Sequence, residues 1–212
     1  MNFILLGAPG AGKGTQAEML RNQLSIPAIS TGNMLRDAMN HKTPLGEQVR
    51  QIMDSGMLVP DDVVLDLVSR RVARDDCKNG FILDGVPRTL SQAEALDAAG
   101  IQIDYVISIE IDDSVIEGRM TGRRACPNCG SSYHVVNNRP KVDGICDNCG
   151  GDLVTRKDDA PETVRDRLRV YHARTEVLKN YYHQQGKLRM INGDQSMQET
   201  NRDILEAIGA KV

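Results

Sequence analysis

A glycine-rich segment at residues 7–15 carries the clearest chemistry in the sequence. It spells GAPGAGKGT and follows a short apolar run. Glycines allow backbone N–H groups to turn toward one point, and the start of a following helix adds positive potential there. Lys13 could then reach the terminal phosphates of a nucleotide. The pattern departs from the common form, since Gly14 follows the lysine and the hydroxyl comes at Thr15. We expect a phosphate-binding loop here, the alternative being a glycine-rich turn with an incidental lysine.

Four of the five cysteines form two C-x2-C pairs, Cys126 with Cys129 and Cys146 with Cys149. Their separation falls inside the window typical of zinc sites, and four thiolates leave no open coordination position. The spacing therefore predicts a structural zinc, which could supply on the order of 10 kcal/mol of folding free energy to this stretch. Four free thiols are the alternative, and iron could also occupy such a site. Cys77 stands alone and is expected to be a small buried hydrophobe.

A pool of arginines lies in the second half of the chain. Arg119 and Arg123 are four residues apart on a helix predicted over 112–124, where their like charges would repel. The pool can be a solvated surface with local ion pairs. A polyphosphate substrate would explain several of its members together, because guanidinium groups bind phosphate oxygens bidentately. The other members are Arg124, Arg156, Arg165, Arg167 and Arg169.

Four aspartates call for separate interpretations. Asp84 ends a predicted apolar strand, where parallel sheets form their sites, and its carboxylate could hold Mg²⁺ through water. The alternative is that Asp84 caps a turn. Asp61 is expected to cap a helix that starts after a proline. Asp158 and Asp159 either pair with active-site arginines or are exposed acids, and the sequence leaves both options open.

The elements that position these residues alternate between short apolar runs and helical periodicity. This rhythm predicts an α/β fold, a P-loop three-layer architecture with a central parallel sheet flanked by helices. Residues 125–159 break it, with four glycines and few large apolar side chains. Strands are expected at about 2–6, 27–30, 80–84, 104–111 and 188–192. Helices are expected at about 13–24, 31–41, 45–55, 61–75, 90–99, 112–124, 161–185 and 197–208.

Composition argues against several classes of protein. The chain has 212 residues and a net charge of −3, whereas a nucleic-acid footprint is usually basic. With two Phe, five Tyr and no Trp, a stacking platform for single-stranded nucleic acid is not expected. Apolar runs are too short for a membrane helix, and the first residues lack a basic signal-peptide region. We therefore expect neither nucleic acid nor membrane as a partner, and a cytoplasmic location.

The glycine-rich loop resembles the phosphate loop of adenylate kinases and close nucleoside monophosphate kinases. Further segments extend this resemblance over nearly the whole chain. The two cysteine pairs resemble the zinc-bearing lid of some bacterial adenylate kinases, and Thr89 with Gln92 is similar to the adenylate-specific members. Val86 departs from the aromatic residue usual at that position. The further matching segments are STGNMLR at 30–36, GMLVPD at 56–61, DGVPRT at 84–89 and TRKDD at 155–159.

The resemblance implies Mg²⁺-dependent phosphoryl transfer from ATP to AMP, giving two ADP, with lid closure excluding water. It implies a core of 1–29, 60–121 and 160–212, a monophosphate-binding segment at 30–59 and a zinc-bearing lid at 122–159, in a monomer serving adenine nucleotide homeostasis. The implied catalytic residues are Lys13, Arg88, Arg123, Arg156 and Arg167. The implied ATP-binding residues are Gly10, Ala11, Gly12, Lys13, Gly14, Thr15, Arg119, Arg123, Ser132, Tyr133 and Gln195. The implied AMP-binding residues are Thr31, Arg36, Met57, Leu58, Val59, Gly85, Arg88, Gln92, Arg156 and Arg167.

Three other functions remain alternatives at this point. The nearest is a monophosphate kinase for GMP, UMP or CMP. A regulatory nucleotide-binding switch is opposed by the loop, which lacks a hydroxyl directly after the lysine, and by the absence of an N-K-x-D motif. A zinc-ribbon nucleic-acid binder is opposed by the charge balance.

Overall fold

A five-stranded parallel sheet lies at the centre of the computed structural model, which describes residues 1–210. Its order is β2-β3-β1-β4-β7, and every pairing within it is parallel. This confirms the predicted α/β class. The strands of the sheet are β1 (Asn2–Leu6), β2 (Ala28–Ser30), β3 (Phe81–Asp84), β4 (Tyr105–Glu110) and β7 (Leu188–Asn192), and β5 (Arg123–Ala125) and β6 (Ser132–His134) form a separate antiparallel pair.

Helices cover both faces of the sheet. Residues 1–210 contain nine α-helices. They are α1 (Lys13–Leu24), α2 (Thr31–Asn40), α3 (Pro44–Asp54), α4 (Asp61–Val72), α5 (Leu90–Ala98), α6 (Asp113–Thr121), α7 (Pro161–Val170), α8 (Leu178–Gln184) and α9 (Met197–Ala207). Short 3-10 turns cover Asp75–Cys77 and Lys157–Asp159, and a π-helical turn covers Tyr171–Thr175.

Alternation along β1 divides the core into two layers. Ile4 and Leu6 pack with buried side chains from α4, α5 and α8, whereas Phe3 and Leu5 pack with those from α1 and α9. Successive side chains of a strand point to opposite faces, and both faces of a parallel sheet are covered. The near-continuous apolar run of β1 is therefore buried throughout, which fixes the start of the glycine-rich loop at the carboxyl end of the sheet.

The segment 122–159 has a core of its own that is very small. Its buried residues are Cys126, Tyr133 and Cys146, with Leu153 packed against them. The antiparallel pair β5–β6 supplies its regular structure. A cluster of this size buries little apolar surface, so an additional stabilising contribution is needed to order the segment.

This segment also touches the helices of the segment 30–59. The Asn40 side-chain amide donates to the carbonyl oxygen of Pro127 at 3.2 Å. The Lys157 ammonium lies 3.4 Å from a carboxylate oxygen of Asp54. These contacts join two segments that both overhang the carboxyl ends of the sheet strands.

The helix predicted over 112–124 was too long. It ends at Thr121, and Arg123 and Arg124 lie on β5 instead. Gly122 follows the helix against His134 of β6, with no room for a Cβ. Pairing with β6 therefore outweighs the helical propensity of residues 123 and 124. As a result, Arg119 and Arg123 do not share a helix face.

Two further expectations about helices were wrong. The helix predicted over 161–185 is divided by the π-helical turn at Tyr171–Thr175. Asp61 is the first residue of α4, and Pro60 occupies the capping position. The Asp61 carboxylate instead accepts hydrogen bonds from Gln92 of α5 and from Thr89, the residue that caps α5. Within residues 1–210, no helix has both the length and the apolar content needed to cross a membrane.

Candidate active site

A cleft opens at the carboxyl ends of β2 and β3. The register places Ser30 beside Asp84 and Asp84 beside Leu5, so three strands deliver their following loops to one edge. This is where open parallel sheets bind ligands. Its lining residues are Thr31, Gly32, Leu35, Arg36, Met53, Gly56, Met57, Leu58, Val59, Val64, Gly85, Arg88, Gln92, Asp158 and Arg167.

The glycine-rich loop joins β1 to α1, as its sequence context predicts. Gly10 and Gly12 adopt positive φ values of 85° and 98°, a backbone conformation that other residues rarely take. Lys13 starts α1, and its ammonium donates to the carbonyl oxygens of Gly7 at 2.7 Å and Ala8 at 2.8 Å. The lysine therefore lies folded over the loop, close to where a phosphate would lie.

Burial, together with the smaller effects of nearby Arg88, Arg167 and Arg123, lowers the pKa of Lys13 to about 8, although Asp84 acts in the opposite direction. Both effects disfavour the charged ammonium. A bound anion would reverse them, since opposite charge favours the protonated form. The loop is thus electrostatically incomplete without a negatively charged ligand.

Asp84 ends β3 and faces the glycine-rich loop. Its Oδ2 atom lies 3.9 Å from the point that a Cβ on Gly14 would occupy. Oxygen ligands suit Mg²⁺, which usually keeps several of its waters. A lone carboxylate beside a phosphate-binding loop fits that donor requirement.

Five arginines from different elements converge at the cleft and its rim. Each of them has either a pKa below its ordinary value or a buried ion pair. Such burial is unusual for guanidinium groups. Arg36 comes from α2, Arg88 follows β3, Arg123 is on β5, Arg156 precedes a 3-10 turn and Arg167 is on α7. No local sequence pattern brings these positions together.

Burial, with a smaller contribution from repulsion by Arg36 and Arg123, lowers the pKa of Arg156 to about 9. Burial also lowers the pKa of Arg167 to about 10. At neutral pH both guanidinium groups stay charged, so their lowered pKa values reflect the free-energy cost of burying a cation, with a smaller contribution from the neighbouring cations. Among residues 1–210, Arg156 has no carboxylate within ion-pair distance.

Asp158 and Asp159 pair with arginines, which decides between the two options that the sequence left open. Arg167 donates to Asp158 Oδ2 at 2.8 Å, and Arg123 donates through two nitrogens to Asp159. Burial raises the pKa of Asp158, but the surrounding arginines, led by Arg167, hold it below the usual value. Asp159 is only 2% exposed. The pair offsets part of the positive charge and leaves the remainder facing the cleft.

Thr31 and Arg88 lie together near Gly85. The Thr31 hydroxyl and the Arg88 Nε atom donate to the Gly85 carbonyl oxygen at 3.0 Å and 2.9 Å. The Thr175 hydroxyl donates to the carbonyl oxygen of Arg88 at 2.8 Å. This last contact comes from the π-helical turn, a feature that often accompanies functional sites.

Gln92 lies deeper in the cleft, where it is 2% exposed. Its Oε1 atom accepts from the backbone N–H of Arg88 at 2.7 Å, and its Nε2 donates to Asp61 at 2.7 Å. The Thr89 hydroxyl donates to the other oxygen of Asp61 at 2.9 Å and accepts the N–H of Gln92 as the cap of α5. The Gln92 amide is therefore held at both ends.

Three predicted ATP-side residues lie apart from the cleft lining. Arg119 on α6 donates to the Gly193 carbonyl oxygen at 3.0 Å, which places it beside the loop that carries Gln195. The Gln195 amide donates to Asp203 at 2.7 Å. Ser132 is on β6, across from Ala125.

The four paired cysteines meet within segment 122–159. All four sulfur atoms lie within 4.8 Å of one another, with Cys126–Cys149 at 3.4 Å and Cys129–Cys146 at 3.5 Å. Sulfurs around a tetrahedral zinc are about 3.8 Å apart when Zn–S bonds are about 2.3 Å. The cluster therefore fits a structural zinc. The Tyr133 hydroxyl contacts this cluster and accepts from the Asp147 N–H at 2.8 Å, so its side chain serves the segment interior.

Sequence reasoning missed two residues that support the site. Asp61 was expected to be a cap, and Thr175 lay within a predicted continuous helix. Their contacts span 31 and 87 positions along the chain. No periodicity or motif signals such pairs, because the partner is chosen by packing of distant elements.

Comparison with known proteins agrees with this arrangement. The sequence model of the family described as Adenylate kinase matches residues 5–187. Adenylate kinases from Caldicellulosiruptor bescii and Bacillus subtilis are 51% and 48% identical to this chain, covering 99% of it and 99% and 98% of their own lengths. The adenylate kinase of Lachnoclostridium phytofermentans is 52% identical over 99% of this chain and 98% of its own. The chain belongs to the adenylate kinase family, phosphotransferases whose known reaction moves a phosphoryl group from ATP to AMP.

Proposed function

We propose that the cleft binds AMP and that the glycine-rich loop binds the phosphates of Mg·ATP, so that the two nucleotides meet between Lys13 and the arginines. The observation that carries this proposal is the convergence of Lys13, Arg88, Arg123 and Arg167, where the charges of the three arginines add to burial in lowering the pKa of Lys13. A crowded set of cations requires an anion of high charge, and a pair of nucleotide phosphate chains supplies it.

Within this proposal, Thr31, Arg36 and Arg88 hold the phosphate of AMP, and Gln92 contacts its base. Apolar side chains of the cleft, including Leu35, Met53 and Val64, suit the faces of a purine ring. The backbone from Met57 to Val59 lines the same wall. The cleft thus has a cationic end and an apolar end, which complement the anionic phosphate and the flat base of a nucleoside monophosphate.

On the ATP side, the amides of Gly10 to Thr15 and the Lys13 ammonium hold the β- and γ-phosphates. Arg119 and the loop at Gln195 border the nucleoside, together with the backbone of Ser132 and Tyr133. Mg²⁺ bound to ATP supplies further neutralisation of phosphate charge, and Asp84 would hold it through water. The structural Zn²⁺ that we assign to the four cysteines orders segment 122–159, which lies over the ATP side of the site.

The acceptor is a phosphate oxygen that is already ionised at neutral pH, so no strong general base is required. Lys13, Arg123, Arg156 and Arg167 neutralise charge on the moving phosphoryl group, and positioning supplies much of the remaining acceleration. Water must be excluded, since it competes as an acceptor. The contacts of Asn40 with Pro127 and Asp54 with Lys157 support closure of segments 30–59 and 122–159 over a core formed by the rest of the chain.

The test is to mix the purified protein with Mg·ATP and, separately, with AMP, GMP, CMP, UMP or water, and to quantify ADP. We expect rapid ADP formation with AMP alone. Turnover with another monophosphate would contradict the assignment of adenine as the base. Turnover with water would contradict the proposal that closure of the two segments excludes water from the site.

A matched pair of variants on α7 tests the residue roles. Arg167→Ala should lower kcat by about a hundredfold or more, because it removes charge stabilisation in the transition state. Arg169→Ala should leave kcat unchanged, since Arg169 is exposed and pairs with Asp166 on its own helix. Equal effects of the two substitutions would contradict the proposed role of Arg167.

The proposal includes a monomeric enzyme of the cytoplasm that serves adenine nucleotide homeostasis. The five cysteines form no disulfide within residues 1–210, which suits a reducing compartment. Light scattering of the purified protein tests the monomer, and fractionation of cells that express the chain tests its location.

A further inference from the structure

We propose that Asp61 is a positioning residue that fixes the orientation of the Gln92 amide and so makes the monophosphate site select 6-aminopurines over 6-oxopurines. The inference rests on the proposed function, in which Gln92 contacts the base of the bound monophosphate. It assigns a role to a carboxylate that precedes Gln92 by 31 positions and lies on another helix.

The amide of Gln92 can adopt only one orientation in this network. Its Nε2 faces a carboxylate, which only accepts hydrogen bonds, and its Oε1 faces the backbone N–H of Arg88, which only donates. A rotation by 180° would place oxygen against oxygen at Asp61 and N–H against N–H at Arg88. At a residue that is 2% exposed, both mismatches would leave polar groups unsatisfied.

The orientation of Asp61 is itself determined. Its second oxygen accepts from the Thr89 hydroxyl at 2.9 Å, and that hydroxyl accepts the N–H of Gln92 at 3.2 Å. Asp61 thus anchors the start of α5 and the Gln92 side chain with the two oxygens of one carboxylate. The chain of hydrogen bonds runs from Asp61 through Thr89 and Gln92 to the backbone of Arg88.

After these bonds, the amide keeps one N–H and one oxygen lone pair for a ligand. Adenine offers a ring acceptor at N1 beside an amino donor at position 6, which matches one N–H and one oxygen side by side. Hypoxanthine and guanine carry the reverse pattern, a donor at N1 and an acceptor at position 6. A freely rotating amide would serve both patterns, whereas an amide held by Asp61 opposes the second.

A purely structural role is the competing explanation for Asp61. The residue lies in the first turn of α4 and its hydrogen bonds join α4 to α5, so its loss could lower stability without changing specificity. The two roles differ in a readout that stability does not move, the ratio of kcat/KM for AMP to kcat/KM for IMP. IMP differs from AMP at positions 1 and 6 only and adds no bulk to the base.

The experiment measures this AMP-to-IMP ratio for the full chain and for Asp61→Ala, Asp61→Asn and Asp62→Ala, with a melting curve for each. Asp61→Ala should lower the ratio about tenfold, near the discrimination of one bidentate base contact. Asp61→Asn should keep it, because the Asn oxygen still accepts from Gln92 and its amide can donate to Thr89. Asp62→Ala removes an exposed carboxylate from the same turn and should change nothing.

A ratio within twofold of the original in Asp61→Ala, with or without a lower melting temperature, would overturn the inference. Where Asp61→Ala does not fold, Asp61→Ser replaces it, since its shorter side chain cannot span Thr89 and Gln92 together. Gln92→Ala separates this failure from that of the proposed function. If neither Asp61→Ala nor Gln92→Ala changes the ratio, the base does not lie at Gln92 and the proposed function is wrong on this point. If Gln92→Ala lowers the ratio and Asp61→Ala does not, only the positioning role of Asp61 is rejected.

Discussion

Arg123 and Asp159 join the two ends of the segment 122–159 through a pair of hydrogen bonds, at a carboxylate whose side chain is 0% exposed. Arg167 on α7 approaches the same carboxylate at 3.4 Å. One aspartate therefore closes the segment at its base and partly neutralises two of the arginines that we assign to phosphoryl transfer. The closed base restricts where the cysteine cluster and β6 can lie.

Asp159→Asn should lower the free energy of unfolding by about 3 kcal/mol, because it leaves Arg123 and Arg167 crowded without their buried counter-charge. Urea denaturation checks this. Asp152→Asn is the matched control in the same segment, is exposed, and should change stability by less than about 0.5 kcal/mol. Inorganic pyrophosphate should raise the melting temperature of Asp159→Asn more than that of the original chain. A variant as stable as the original would contradict the pairing.

Alanine at two helical glycines should shift stability in opposite directions. A Cβ on Gly46 would lie 2.1 Å from the carbonyl oxygen of Ala38, so Gly46→Ala must separate α2 from α3 and should cost about 2 kcal/mol or more. Nothing lies within 4 Å of a Cβ on Gly118, and Gly118→Ala should stabilise α6 by about 0.5–1 kcal/mol. Thermal unfolding measures both. Equal shifts would show that the helix packing is not as described.

ATP binding should take up a proton at Lys13 in alkaline solution. The pKa of Lys13 is about 8 in the free protein, below its ordinary value of 10.5, and bound phosphates should raise it. Uptake should be about half a proton at pH 8 and small at pH 7, and the affinity for ATP should fall by up to about tenfold per unit above pH 8. Calorimetry in two buffers of different ionisation enthalpy gives the uptake.

Lys13 also predicts a change in the stability of the free protein with pH. A lowered pKa means that charging Lys13 opposes folding, so this cost is fully present below pH 8 and fades as pH rises toward 10.5. Lys78→Ala, which removes an exposed lysine paired with Asp75, should leave proton uptake unchanged, whereas Lys13→Met should abolish it. Unchanged uptake in Lys13→Met would assign the proton to another group.

Metal analysis should find about one zinc per chain, and chelation should lower the melting temperature, because segment 122–159 has almost no apolar core. Cys129→Ser should reduce the zinc content strongly. Cys77→Ala removes a buried thiol outside the cluster and should leave it unchanged. Protein prepared without chelators that carries no zinc would reject the site, and iron in its place would correct the metal.

The sequence by itself determined the features that depend on short stretches of chain. The glycines and Lys13 of the phosphate loop act through consecutive backbone groups, and each C-x2-C pair brings its two sulfurs close through one tight turn. Alternating apolar runs were enough to predict the parallel sheet, since a strand buried on both faces is continuously apolar.

The tertiary structure alone decided which distant groups meet. Asp61 was expected to cap its own helix, yet it binds Gln92 on another one, and Asp159 pairs with Arg123 across 36 positions. Residues 123 and 124 were predicted to be helical, but they belong to a strand because they pair with β6. In each case the local preference was weak, and packing between remote elements supplied the larger free energy.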